Sequence, residues 1–368
     1  MLQARLLRCV VAPTFSEPAD GENRGEPRMF WKKAVLSLVV AGFFGMNAAK
    51  AETEFTFSSW IPWTHGLNVH LYIPWAEAVE KASNGEIKIR FLPKSVAAPR
   101  AYLDAVRTGQ TDIGFGTHSY SPQLFAAYHF TDFPFLGDRS VVTSVALQRT
   151  HDKFLADKNL YDGVQLIGIN TLGPGLLFHR TKLIKSPEDM VGQKIRTGGE
   201  ITRRLVEGLG GVSVAQPITK AYELLSTGVV DGHAGHWEQL VGFKLAEVLP
   251  YATIIPGGLN SGSMYLMVNK AKYDSLSPVG KAAFDKYSGE VFAKMAGEAW
   301  DKINDEGKAA AVAAGTTIAD APDAVIDAMK KVSVEFEAEY YKEVAATDLD
   351  GKAILDYFRS QVDELKAK

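Results

Sequence analysis

Two stretches of sequence that echo each other decide the fold. YLDAVRTGQTDIG covers Tyr102–Gly114, and YELLSTGVVDG covers Tyr222–Gly232. Each starts with an aromatic residue and an apolar helical face, continues to a glycine (Gly109 or Gly228), and reaches an aspartate three residues later. A glycine at that place is typical of the residue that follows a helix, because this position needs a positive φ. Both stretches therefore predict a short helix that ends at glycine and leads into a strand.

The same order of elements precedes each echo, so each half of the chain predicts a βαβαβ unit. The predicted strands and helices are Phe55–Phe57, Trp75–Ala82 and Ile87–Phe91 in the first half, and Gly192–Arg196, Thr202–Leu209 and Val212–Val214 in the second. Units of this size predict an α/β fold with two lobes, each built on a parallel sheet. Ligands of such sheets bind outside the carboxyl ends of the strands. The predicted site is therefore a cleft between the lobes.

The rest of the chain is expected to connect the lobes and cover them. The predicted boundaries are 52–172 for lobe I, 173–258 for lobe II, and 259–368 for a strand that returns to lobe I and for long helices that pack on both lobes. The apolar runs Gln165–Leu172 and Ser263–Val268 are predicted to cross between the lobes and are candidate hinges. The long helices are predicted at 279–314, 322–344 and 354–367.

The first 51 residues are predicted to be an upstream extension and a secretory signal. Lys32 and Lys33 precede an apolar run of thirteen residues, 34–46, and Ala49-Lys50-Ala51 fits a cleavage site. A membrane anchor is the alternative, but this run is too short for the hydrocarbon core of a bilayer. Translation starts at Met1 or at Met29. The sequence thus predicts export to the periplasm, with cleavage near Ala51.

Composition narrows the class of protein. The chain has 368 residues, 46% hydrophobic and 23% charged, which suits a soluble protein with two lobes. Its single cysteine, Cys9, precedes the predicted cleavage site, so the exported part has no disulfide. Seven of 40 basic and four of 43 acidic residues also precede residue 52, which leaves a net charge of −6. An acidic surface argues against nucleic acid as a partner.

Three segments resemble the solute receptors of tripartite ATP-independent periplasmic (TRAP) transporters. They are KSPEDMVGQKIRTGGE (Lys185–Glu200), the second echo, and FKLAEVLPYAT (Phe243–Thr253). The resemblance implies a fold like that of type II periplasmic binding proteins, with long C-terminal helices that span the lobes. It also implies a monomeric receptor that is not an enzyme and holds no cofactor. Such a receptor delivers a small organic acid to a small and a large membrane subunit.

The resemblance places the carboxylate-binding arginine at Arg196. Independently, Arg196 ends a predicted strand, and a guanidinium holds a carboxylate with two parallel hydrogen bonds. The alternative is an arginine paired with a structural carboxylate. Where several relatives that bind sialic acid or dicarboxylates have a second arginine, this chain has Leu176. Those two ligand classes are therefore disfavoured.

Residues near the predicted strand ends form a mixed aromatic and polar set. They are Trp60, Trp63, His65, Thr117, His118, Tyr120, Leu176, Phe178, Arg196 and Trp237. Aromatic walls with one cation predict a monocarboxylate ligand with an apolar or aromatic body. The alternative for each aromatic residue is ordinary core packing.

Two other functions stay open at this point. His233, His236 and Glu238 form an HxxHxE pattern, which is compatible with a secreted metal-dependent hydrolase. Its weakness is that three residues on one loop need not converge on a metal, and the sequence has no Gly-x-Ser-x-Gly or HExxH motif. The other alternative is a receptor that serves an ATP-driven importer or a sensor kinase.

Overall fold

A computed structural model describes residues 52–367 of the chain. The predicted extension and signal, residues 1–51, lie outside this range. Within it, no helix combines the length and the apolar character that a membrane span requires.

Eleven strands of the described range form two sheets. The first sheet contains β1 (Thr53–Phe57), β2 (Ile87–Phe91), β3 (Ile113–Thr117), β4 (Val164–Thr171) and β10 (Ser263–Asn269). The second contains β5 (Leu176–His179), β6 (Lys194–Thr197), β7 (Val212–Ala215), β8 (Gly232–Gly235), β9 (Tyr251–Ile254) and β11 (Thr317–Asp320). Their spatial orders are β2-β1-β3-β10-β4 and β11-β9-β5-β8-β6-β7. The chain passes to the second sheet through 172–175 and returns through 255–262.

Helices cover both sheets. They are α1 (Ile73–Ala82), α2 (Tyr102–Arg107), α3 (Ser140–Phe154), α4 (Glu200–Gly208), α5 (Ala221–Ser226), α6 (Glu238–Gly242), α7 (Lys270–Asp274), α8 (Pro278–Lys286), α9 (Gly289–Ala313), α10 (Asp323–Ala345) and α11 (Gly351–Lys366). Short 3₁₀ turns follow several strands, including His118–Tyr120 after β3 and Ile218–Lys220 after β7. Tyr120 of the first turn and Ile218 of the second line the space between the sheets.

The two βαβαβ units are confirmed. β1, β2 and β3 pair in parallel, as do β6, β7 and β8. Gly109 has φ of +75° and Gly228 has φ of +74°, as expected for glycines that follow helices. Local sequence therefore determines these units. In both echoing stretches the helix ends just before the predicted glycine, and a strand begins after the aspartate that follows.

Two details differ from the prediction. The sheets are mixed, because β10 pairs antiparallel with β3 and β4, and β5 pairs antiparallel with β8 and β9. The helix predicted at 279–314 is two helices, α8 and α9, which are separated at Tyr287 and Ser288. Gly289 begins α9 with φ of +59°, a conformation that an uninterrupted helix does not contain.

Aromatic packing forms the core of the first lobe. Phe57 on β1 contacts the ring of Trp75 on α1 edge-on, with centroids 6.3 Å apart. Trp75 also packs on Phe292 of α9, and its indole N–H donates to the carbonyl of Tyr287. The core thus ties the start of α9 to the first sheet.

The long helix α9 spans both lobes. Near its start, Gly297 packs on the backbone of Val141 in α3, beside the first sheet. Near its end, Gly307 packs on the backbone of Trp237 and Glu238, beside the second sheet. Glycine is needed at both places because a β-carbon would collide with backbone atoms.

We expect Gly307→Ala to destabilise the protein by about 1–3 kcal/mol, because the new methyl group overpacks the contact with Trp237. Helix propensity alone predicts the opposite sign, a gain of about 1 kcal/mol. Urea unfolding measures the difference. Lys308→Ala, at the exposed neighbouring position, is the control. A Gly307→Ala protein more stable than the wild type would contradict the close contact.

Candidate functional site

A cavity lies where the two sheets and α9 meet. Its volume is about 70 Å³, well above the roughly 10–15 Å³ that a single water molecule needs, so it can hold a small solute. The wall includes residues that follow β3 and β6, the crossing segments, the start of α6, and α9. Apolar side chains of the wall are Trp60, Ile61, Leu67, Leu172, Ile218, Phe243, Met264 and Trp300.

Arg196 supplies the positive charge of the cavity. It lies at the carboxyl-terminal part of β6 and is only 3% exposed. Its Nε and Nη2 donate to the backbone carbonyl of Gln216, at 2.9 and 2.5 Å. Burial lowers the pKa of Arg196, although arginine keeps its charge in proteins. No carboxylate of residues 52–367 forms an ion pair with it, so the guanidinium retains capacity for an anion.

Tyr120 links the lobes beside this guanidinium. The backbone N–H of Ile218, which follows β7, donates to the hydroxyl of Tyr120 at 3.2 Å. The Tyr120 ring centroid lies 6.3 Å from that of Trp60, and the Arg100 guanidinium lies 5.4 Å from the Tyr120 centroid. These contacts hold an aromatic surface against the charged part of the cavity.

The remaining polar wall is buried. His65 Nε2 and Glu238 Oε2 lie 3.2 Å apart, joining the segment after β1 to α6. Burial lowers the pKa of His236 to about 3, with a further contribution from the charge of Arg196, so His236 is neutral at pH 7. Burial raises the pKa of Asp132 to about 6. The cavity therefore combines one cation with carboxylates that disfavour a second anion.

The family of the chain follows from its match to known proteins. A family model described as bacterial extracellular solute-binding protein, family 7, matches residues 68–344. The chain belongs to this family. Its members are solute-binding receptors, and the structural relatives below are TRAP periplasmic solute-binding proteins.

Three relatives illustrate the match. A TRAP receptor from Bordetella bronchiseptica, solved with bound (R)- and (S)-mandelate, is 35% identical with a TM-score of 0.82, over 85% of this chain and 99% of that one. A TRAP receptor from an unidentified marine microbe, specific for aromatic acid ligands and solved with metahydroxyphenylacetate, is 30% identical with a TM-score of 0.80 and the same coverage. Outer membrane transporter protein TsaT of Comamonas testosteroni is 27% identical over 78% of this chain and 85% of its own length.

Five of the ten residues predicted for the cleft of this TRAP receptor line the cavity. They are Trp60, His65, Thr117, Tyr120 and Arg196. Trp60 is fixed by an indole N–H bond to the carbonyl of Phe115, at 3.2 Å. These residues lie at or just after the carboxyl ends of β1, β3 and β6, where the sequence predicts the ligand site.

The other five predicted residues do not line the cavity. His118 points into the first lobe, where its ring nitrogens contact Ser263 Oγ at 2.7 Å and Tyr161 Oη at 2.6 Å. Trp63 donates its indole N–H to the carbonyl of Leu92. Leu176, Phe178 and Trp237 belong to a separate apolar cluster of the second lobe. Their burial comes from core packing, the alternative stated for aromatic residues.

The geometry does not support the metal-dependent hydrolase. His233 Nε2 bonds Gln239 Oε1 at 2.6 Å, and Glu238 faces His65. Across residues 52–367, no three histidine, cysteine, aspartate or glutamate side chains are grouped so as to hold a metal ion. Burial also lowers the pKa of His233 well below its ordinary value. The side chains of the HxxHxE pattern are thus buried, and His233 is bound to Gln239 rather than grouped with the other two around a metal position.

Sequence reasoning missed several wall residues. Asp132, Asn260, Phe243, Met264 and Trp300 reach the cavity from a 3₁₀ turn, a crossing segment, the end of α6, β10 and α9. None belongs to a βαβαβ unit, so the strand-end argument could not identify them. Trp300 is one of six tryptophans, but its helix reads as a surface element in the sequence.

Proposed function

We propose that this receptor binds a single-ring aromatic monocarboxylate, with the carboxylate on Arg196 and the ring between Trp60, Tyr120 and Phe243. The observation that carries the proposal is the buried guanidinium that has no carboxylate partner within residues 52–367. A carboxylate there would gain charge-assisted hydrogen bonds in a site that excludes water. Several other wall residues are apolar, among them Ile61, Leu67, Ile218 and Met264, which suits a ring.

The charges of the wall support one carboxylate over two. Arg196 is the only lysine or arginine among the described residues that line the cavity, while Asp132 and Glu238 also line it. A second ligand carboxylate would meet one of these acidic groups. Relatives that are at least 30% identical were solved with mandelate and with metahydroxyphenylacetate, which are aromatic monocarboxylates.

Binding is proposed to stabilise the closed arrangement of the lobes. Contacts that join the lobes at the cavity are Tyr120 with Ile218 and His65 with Glu238. A ligand that touches both lobes favours the arrangement in which both contacts form. The segments 172–175 and 255–262 are the proposed hinges. The runs that the sequence predicted as hinges, Gln165–Leu172 and Ser263–Val268, correspond to β4 and β10 of the first sheet and lie next to these segments.

The cellular setting is part of the proposal. Residues 1–51 contain the signal that directs export, cleavage occurs near Ala51, and a monomer works in the periplasm. The closed receptor then docks on a small and a large membrane subunit; the membership of a family that works with TRAP membrane components supports this part of the proposal.

Calorimetry with matched ligands tests the proposal. Benzoate and phenylacetate are expected to bind with micromolar dissociation constants, about −8 kcal/mol. Benzamide, which has the same shape without the charge, and succinate, which has two carboxylates, are expected to bind at least tenfold more weakly than benzoate. Equal binding of benzamide and benzoate, or tighter binding of succinate, would contradict the proposed ligand class.

A further inference from the structure

A buried chain of hydrogen bonds lies directly behind the first-lobe wall of the cavity. Its central members, His118, Thr131 and Ser263, are each at most 2% exposed and do not line the cavity. Each is next in sequence to residues that do line it, which are Thr117 and Ser119, Asp132, and Gly262 and Met264. The hydrogen bonds therefore connect separate segments of the wall from behind.

The directions of these hydrogen bonds follow from the number of protons. Thr131 Oγ1 lies 2.9 Å from the carbonyl oxygen of Tyr128 and donates its only proton to it. Thr131 Oγ1 therefore accepts from Ser263 Oγ, at 2.9 Å. Ser263 Oγ in turn accepts from His118 Nδ1 at 2.7 Å, and His118 Nε2 accepts from the hydroxyl of Tyr161 at 2.6 Å. Burial lowers the pKa of His118 well below its ordinary value, so the ring is neutral and its proton is on Nδ1.

The same residues hold the segment 255–262, through which the chain returns to the first lobe. The backbone carbonyl of Thr131 accepts from the N–H groups of Ser261 and Gly262, at 3.1 and 2.9 Å. Ser263 begins β10 directly after this segment. The end of the return segment is therefore fixed at two places, by a backbone carbonyl and by a side-chain hydroxyl.

The two proposed hinges are also bonded to each other. The N–H of Leu172 donates to the carbonyl of Ser261 at 3.1 Å, and the N–H of Gly175 donates to the carbonyl of Asn260 at 2.7 Å. A contact that fixes the return segment therefore fixes the outward segment as well.

We propose that His118 is a positioning residue, whose Nδ1 hydrogen bond to Ser263 anchors the hinges and keeps the wall in the arrangement that binds the solute. The effect on binding rests on the proposed function, whereas the anchoring needs no ligand. The bond to Tyr161 joins the other edge of the ring to the aromatic core of the first lobe. The two ring nitrogens thus differ in role, because one serves the hinges and the other serves stability alone.

Asparagine and glutamine in place of His118 separate the two nitrogens. The amide of asparagine reaches about the position of Nδ1, so His118→Asn keeps the bond to Ser263. The amide of glutamine reaches about the position of Nε2, so His118→Gln keeps the bond to Tyr161 instead. Both variants lose the ring and one buried hydrogen bond, so similar losses of stability are expected. A difference between them in the hinges or in binding then belongs to the bond that is kept.

Hydrogen exchange of the receptor without ligand measures the anchoring. The amides of Ser261 and Gly262 are expected to exchange at least about threefold faster in His118→Gln than in His118→Asn, because a lost hydrogen bond favours local opening. The amide of Phe358, in the buried face of α11, is the control and should exchange equally in both variants. Equal exchange of Ser261 and Gly262 in the two variants would overturn the inference.

Calorimetry with benzoate measures the effect on binding. The dissociation constant of His118→Gln is expected to be at least about threefold higher than that of His118→Asn, because a less populated binding arrangement weakens binding by the same factor. Ser263→Ala removes the same bond from the other side and should resemble His118→Gln. Tyr161→Phe removes only the core-side bond and should stay within about twofold of the wild type.

The two measurements separate this inference from the proposed function. If the wild type binds benzoate but His118→Gln and His118→Asn bind it equally, the positioning role is wrong and the proposed ligand class stands. If the wild type does not bind benzoate or phenylacetate, the proposed function fails, and the exchange of Ser261 and Gly262 still decides whether His118 anchors the hinges.

Discussion

Replacing Arg196 with alanine is expected to weaken the binding of an aromatic monocarboxylate by about 2–5 kcal/mol. This is roughly a 30-fold to several-thousand-fold increase in the dissociation constant. The effect is large because the guanidinium is 3% exposed, so a carboxylate bound there would be left without a partner in a site that excludes water. Titration calorimetry with benzoate measures the change.

Two further variants sharpen this test. Arg196→Lys keeps the charge but loses the planar fork, so an intermediate loss is expected. Arg90→Ala removes an exposed guanidinium that pairs with Glu54 on the first sheet, and it should bind like the wild type. Circular dichroism checks that each variant is folded. Wild-type affinity in folded Arg196→Ala would show that the anchor lies elsewhere.

Replacing Asp132 with asparagine is expected to stabilise the protein near neutral pH. Burial raises the pKa of Asp132 from 3.8 to about 6, which corresponds to about 3 kcal/mol. Because the folded-state pKa is the higher one, this group contributes stability below pH 3.8, and that contribution is lost as the pH rises through 6. Asparagine carries no charge, so the penalty at pH 7 disappears. The expected gain in unfolding free energy at pH 7 is up to about 3 kcal/mol.

Urea unfolding between pH 4 and pH 7 measures this effect. The difference between Asp132→Asn and the wild type should grow in favour of the variant as the pH rises from 4 to 7. Asp157→Asn, at a carboxylate with 81% of its side chain exposed, should show no such trend. A variant less stable than the wild type at pH 7 would mean that ionised Asp132 is well solvated or paired.

The part of the fold that local sequence signals determine was predictable. Gly109 and Gly228 end helices in both halves, and the strands that follow them pair in parallel. Arg196 was identifiable from the resemblance to TRAP receptors, and its place at the end of a predicted strand agreed with it. The antiparallel pairing of β4, β5 and β10 was not predicted, since their partners are distant in sequence.

The direction in which a side chain points was harder to predict. Thr117 lines the cavity, but the 3₁₀ turn after β3 sends His118 into the first lobe to contact Ser263 and Tyr161. Trp300 reaches the cavity only because α9 crosses both lobes. Such contacts depend on tertiary packing and leave no local pattern in the sequence.

The most direct test of the account is a crystal structure of the receptor with benzoate. We expect the ring to lie beside Trp60 and both carboxylate oxygens to lie about 2.7–2.9 Å from the guanidinium nitrogens of Arg196. Benzoate bound with its carboxylate directed at α9, or bound outside the space between the two sheets, would contradict it.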